Sequence, residues 1–201
     1  MVAFIISIKN YYEKNGKESR ILNTDLSIPS SWTFVHLGKL FDVVSASRVH
    51  QSDWRTAGVP FYRAREIARL SEFGHVNNEL FISEELFNKL SRNGVPRIGD
   101  IMITAVGTLG KTYIVKKNDR FYYKDASVIS LKNLYNLDPN YFSLLFSSPY
   151  LLEQIRENVA GTTVGTITIE KAKKYIIPLP PSEEQSRIFK KIQSINCLIN
   201  S

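Results

Sequence analysis

The chain has 201 residues, 43% of them hydrophobic, and its 26 Lys and Arg against 19 Asp and Glu give a net charge of +7 and a pI near 9.4. That content supports a packed core of one domain plus an appended element and argues against a disordered chain, while the positive balance favours a polyanionic partner. Cys197 is the single cysteine, which excludes an intrachain disulfide; with no Cys/His cluster for a structural zinc, the chain reads as a protein of a reducing, cytoplasmic compartment.

Residues 2–8 are apolar but lack a preceding basic stretch and run directly into Lys9 and Asn10. Such a run is too short to span a bilayer or to act as a signal peptide, so no membrane association is expected. Residues 1–27 read as an N-terminal arm or connector, 28–181 as the globular domain and 182–201 as a helix.

Ile28-Pro29-Ser30-Ser31-Trp32 forms a turn, and 33–44 alternates as a strand or strand pair interrupted at Gly38. Residues 45–58 are polar and basic without helical period, as expected of a long exposed loop, and loops of that length in compact domains are often functional. Residues 59–66 read as a strand that places Arg63 and Arg65 on one face by the period-two rule. Ser83 caps a short amphipathic helix that buries Leu86, Phe87 and Leu90 and ends at Gly94. Strands are expected over 100–105, 111–116 and 121–131, joined by turns at 107–110 and 117–119 as an antiparallel meander. Asp138 with Pro139 starts one helix, and Ser148 with Pro149 starts a second that runs to Asn158. The sum is a mixed α/β (α+β) domain with a largely antiparallel sheet and short helices.

From Gly161 a Gly/Thr-rich loop leads to the apolar Tyr175-Ile176-Ile177-Pro178-Leu179, and Pro180-Pro181 stops that element. Ser182 and Gln185 form the pattern of a capping box, with Glu183 and Glu184 in the first turn where the helix dipole favours them. Ile188, Ile192, Ile195 and Ile199 then make one apolar stripe, which fits either packing on the home domain or a seam for a partner helix.

Catalytic patterns are weak. Ala105-Val106-Gly107-Thr108-Leu109-Gly110-Lys111-Thr112 approaches a phosphate-binding loop, but alanine replaces the first glycine and β-formers follow Lys111 where a helix is needed, so a glycine-permitted turn is the better reading. His36, His50 and His75 have no neighbours at ligand spacing, and neither a nucleophile elbow nor the cofactor loop and catalytic tetrapeptide of an adenine methyltransferase occurs. No cofactor or metal is expected. What remains is basic and aromatic: Arg48, His50, Trp54 and Arg55; Tyr62, Arg63 and Arg65; Thr108 and Lys111; Tyr122, Tyr123 and Lys124. Arginine reads guanine through two acceptors, lysine neutralises phosphate, and hydroxyls reach phosphate or base edges.

Several fragments, in order, resemble the specificity subunit of type I restriction-modification enzymes. Ile28-Pro29-Ser30-Ser31-Trp32 with Leu37-Gly38 resembles that family's opening; Val59-Pro60-Phe61-Tyr62-Arg63 with Glu66-Ile67, and Gly99-Asp100-Ile101 with Gly107-Thr108-Leu109-Gly110, resemble its middle. Gly161-Thr162-Thr163, Ile177-Pro178-Leu179-Pro180-Pro181 and Glu184-Gln185 resemble the close of a target recognition domain. The resemblance implies a non-catalytic, sequence-specific reader of double-stranded DNA that directs adenine methyltransferase subunits, and restriction subunits through the complex, to a split target. It also implies that the C-terminal helix is a spacer, with Ile188, Ile192, Ile195 and Ile199 pairing outside the domain. Arg48, Arg63, Arg65 and Lys111 are the leading expected DNA contacts, followed by Thr108, Tyr123, Lys124 and Thr162. A whole family subunit has two such domains; one domain here fits a half-size subunit that dimerises through its C-terminal helix or a piece of a longer protein. The competing readings are a stand-alone DNA-modifying enzyme and a general nucleic-acid-binding or interaction module.

Overall fold

The computed structural model describes residues 11–15, 18–22, 26–91, 95–160 and 165–199. Strands β1 (Tyr11–Asn15) and β2 (Glu18–Leu22) form an antiparallel pair ahead of the domain. The domain begins with β3 (Thr33–His36), the short helix α1 (Leu37–Leu40) and β4 (Asp42–Val44), so the expected strand pair is broken at Gly38 by a helical turn. A Cβ on Gly38 would lie 2.9 Å from the Lys173 side chain, which explains the glycine there.

Strand β5 (Val59–Tyr62) ends at Tyr62 rather than at 66 as expected, and helix α2 (Ala64–Phe73) follows at once. Arg63 caps this helix and Arg65 lies in its first turn, so the two do not share a strand face; helix geometry replaces the period-two expectation. The short strand β6 (Phe81–Ile82) leads into helix α3 (Glu84–Leu90), where Ser83 Oγ accepts from Leu86 N at 3.2 Å as the sequence indicated. Gly94, its expected stop, is outside the described residues.

The centre is a four-stranded antiparallel sheet in the order β4, β10 (Val128–Lys132), β7 (Ile101–Thr104), β8 (Thr112–Ile114). Both of its faces are covered, so its strands read as nearly continuous apolar runs. Ile101, Ile103, Ile129 and Leu131 face helices α4 (Pro139–Phe146) and α5 (Pro149–Val159) through Phe142, Phe146 and Leu151, whereas Met102, Tyr113 and Val128 face Ile67 and Leu70 of α2.

The β7–β8 hairpin is as expected, with Gly107 and Gly110 at φ of 70° and 77° in its turn. The meander is not: the third strand splits. β9 (Tyr122–Tyr123) pairs parallel with β5, and β10 then pairs with β7 rather than β8. The break falls at Lys124, Asp125 and Ala126, where Ala126 takes a left-handed φ of 59° and turns the chain from one sheet into the other.

Helix α6 (Ile169–Lys173) precedes β11 (Ile176–Leu179), which pairs antiparallel with β3 so that Leu179 lies opposite Thr33. Helix α7 (Ser182–Ile199) begins one residue early for a capping box. The Glu184 and Gln185 N–H groups donate to the Pro181 carbonyl at 2.9 and 3.1 Å, and the buried Gln185 side chain donates to the Pro180 carbonyl at 3.0 Å. The isoleucine stripe divides: Ile188 packs on the core and Ile192 is half-buried, while Ile195 and Ile199 are exposed, Ile199 at 75%.

Candidate nucleic-acid interface

Because neighbouring strands of the central sheet alternate in direction, β4 and β7 end where β8 and β10 begin, and the loops 45–58, 105–111 and 124–127 emerge together. The parallel strands β5 and β9 also finish at this end, where Lys124 N donates to Tyr62 O at 2.8 Å. The segment before α6 joins them through an Ile167 N to Ala105 O bond of 2.9 Å and a Val106–Thr166 bridge. Arg48, Arg63, Arg65, Thr108, Lys111 and Lys124 therefore converge on one end of the sheets from sequence positions as far apart as 48 and 124. Thr162 is outside the described residues.

Each loop is held firmly. Tyr122, buried beneath the 45–58 loop, accepts from Ser47 N at 3.0 Å through its hydroxyl, and Arg48 Nε donates to Asp125 Oδ2 at 3.0 Å. Arg48, His50, Gln51, Trp54 and Lys124 contribute to the walls of an open hollow of about 340 Å³. In the hairpin loop the buried Thr104 accepts from Lys111 N at 3.0 Å and donates its hydroxyl to the Thr108 carbonyl, leaving the Thr108 and Lys111 side chains exposed.

The Arg63 and Arg65 side chains meet at Glu66, which is only 1% exposed. Glu66 accepts from Arg63 N at 2.9 Å, Arg63 Nε at 3.1 Å, Arg63 Nη2 at 2.9 Å and Arg65 Nε at 2.8 Å, and Arg65 Nη2 reaches Glu79 at 2.7 Å. Burial alone would raise the Glu66 carboxyl; the Arg63 side chain and N–H together with Arg65 outweigh it and hold the group at about 2.

Tyr123 is a correction. It is 3% exposed and packs with Ile67, Met102 and Val128, and burial pushes its hydroxyl upward, so its side chain belongs to the core. An aromatic residue beside a lysine at a strand end looks the same in sequence whether it faces solvent or core. The anchoring of the arginines by Glu66, Glu79 and Asp125 is not legible in the sequence, where Glu66 stands only as part of a family-like fragment; a glutamate three residues after Arg63 is the one local sign. Among the described residues no group of His, Cys, Asp and Glu could hold a metal ion, and no helix is long and apolar enough to cross a membrane.

A family model described as the type I restriction modification DNA specificity domain matches residues 29–199. The chain belongs to this specificity-domain family. Among similar proteins, a putative type I restriction enzyme specificity subunit of Haemophilus influenzae is 28% identical over 180 residues, covering 88% of this chain and 43% of the relative. The EcoBI specificity subunit of Escherichia coli is 23% identical over 184 residues, covering 89% and 38%. The chain thus spans less than half the length of these relatives. Solved structures share the fold: the HsdS subunit from Thermoanaerobacter tengcongensis has a TM-score of 0.62 at 21% identity, covering 89% of this chain and 40% of that one. A chain solved in work on complex assembly and conformational transition of the type I R-M system has a TM-score of 0.64 at 21% identity, covering 88% and 41%. As a specificity domain the chain has the mixed architecture of antiparallel sheets, short helices and a C-terminal helix that those folds share.

Proposed function

We propose that this specificity domain reads one part of a split double-stranded DNA target for a type I restriction-modification assembly, with methylation and cleavage carried out by other subunits. The observation that carries the reading is the convergence of Arg48, Arg63, Arg65, Thr108, Lys111 and Lys124 on loops at one end of the sheets. The forked guanidinium groups suit base edges in the major groove, and the exposed ammonium of Lys111 suits the phosphate backbone. The exposed distal half of α7, with Ile195 and Ile199, supports a role as a spacer that pairs with a second helix, in another copy or another segment, and adenine methyltransferase subunits are the partners this reading names.

Selection of duplexes from a random pool, followed by salt titration of the selected site, tests the reading. Arg63→Ala is expected to relax recognition at one base pair and to cost about 1–3 kcal/mol there. Lys111→Ala is expected to weaken all sequences alike and to reduce the salt slope by about one. Full affinity in both variants across the titration would overturn the assignment of these loops, and methylation by the purified chain alone would overturn the non-catalytic role.

A further inference from the structure

Two arginines and two carboxylates meet beside the end of β5, and their formal charges cancel: Arg63 and Arg65 against Glu66 and Glu79. A cluster without net charge attracts phosphate poorly, so what it offers is geometry. Glu66 supplies that geometry from below. Its carboxylate receives the Nε–Nη2 edge of Arg63 and the Nε of Arg65, whose Nη2 is held by Glu79; together these bonds fix the plane of each guanidinium and leave the Nη1 group of each outside them. A carboxylate at the third position of a helix needs a single bond to the capping N–H to do its local work; Glu66 makes that bond, at 2.9 Å, and gathers two side chains besides. Burying a charge is costly unless donors surround it, and here the donors are the side chains expected to read DNA.

We propose that Glu66 is a positioning residue for sequence discrimination: a buried carboxylate that holds Arg63 and Arg65 in fixed planes so that their remaining donors meet base edges in one register. The proposal rests on the DNA reading above. It assigns to Glu66 no contact with DNA. Preorganisation of this kind favours the correct sequence over others, because a guanidinium free to rotate finds phosphates and wrong bases as readily as the right one.

The sign of one measurement separates this role from a merely structural or electrostatic one. Glu66→Gln removes a negative charge from beneath the expected DNA surface while retaining an acceptor for Arg63 N. If Glu66 only capped the helix, affinity of the full chain for the selected target and for a random duplex would both stay or rise together. The positioning role is expected instead to lower affinity for the selected target about tenfold while the random duplex binds as well as before or better, a divergence of the size one bidentate base contact provides. Glu79→Gln is the second variant, since Glu79 is exposed and its loss leaves the helix start intact. It loosens the hold on Arg65 Nη2 by replacing a charged acceptor with a neutral one and is expected to reduce target affinity about threefold, less than loss of a whole base contact, without reducing random-duplex binding. Affinities that stay or rise together on the two duplexes in either variant would overturn the proposal, and where Glu66→Gln fails to fold, Glu79→Gln alone decides it. If Arg63→Ala and Lys111→Ala also leave DNA binding intact, the DNA reading itself fails; if those two behave as expected, the positioning role alone does.

Discussion

Glu66 should be visible in the acid stability of the fold as well as in DNA binding. Its carboxyl lies at about 2 in the folded chain against an ordinary value of 4.5, so its contribution is fully present above pH 4.5 and is lost as pH falls toward 2. Denaturant melts between pH 6 and 2 are expected to show a decline over that window that is shallower in Glu66→Gln, which keeps the part due to other depressed carboxyls such as Glu79 and Glu84. Gly110 offers an independent check on the hairpin loop that carries Thr108 and Lys111. With φ at 77° and a hypothetical Cβ 2.9 Å from Ile155 Cδ1, Gly110→Ala is expected to destabilise the domain by about 1 kcal/mol or more, measurable by thermal unfolding. Single residues were legible in proportion to how local their roles are. The two glycines of this turn and the caps Ser83, Asp138 and Ser148 stand within a few positions of what they act on. Arg48 and Asp125 are 77 positions apart, and Arg65 and Glu79 are 14, so no spacing rule connects them.

Among the elements, the hairpin of β7 and β8 and the helices α3, α4 and α5 could be read directly because period, cap and turn agree. The failures came where a strand-like run outlasted its strand. Val59 to Arg63 continues without punctuation into α2, and the helix is decided by Ile67 and Leu70 finding the face of the central sheet, a tertiary choice. The split of the third strand is similar: Tyr122 and Tyr123 are drawn toward β5, and the turn at Ala126 has no glycine to announce it. Helix α7 also joins two environments in one pattern. Ile188→Ala is expected to destabilise the domain by about 1–2 kcal/mol, below the range for a fully buried isoleucine, whereas Ile199→Asp should leave the melt unchanged. If the distal half serves as a spacer, sedimentation with a partner helix should show the reverse ranking, with Ile199→Asp the more damaging.

The ordered fragments that resembled the specificity family lie across the chain from Ile28 to Gln185, and their order carried more information than any one of them. What no ordering could supply was the lacing of the two ends of the domain. Thr33 and Leu179 are cross-strand partners, and just outside them Trp32 Nε1 donates to Glu184 Oε2 at 3.1 Å. A tension applied between residue 32 and residue 184 would therefore meet this ladder at its open end. The load would fall first on the Trp32–Glu184 bond and then on one cross-strand pair after another, from Thr33–Leu179 inward to His36–Ile176, rather than on all of them together. Mechanically the domain would open like a zipper and not resist in shear. Pulling at those two positions should part β3 from β11 at low force while the central sheet stays closed, and a single high-force rupture would contradict this.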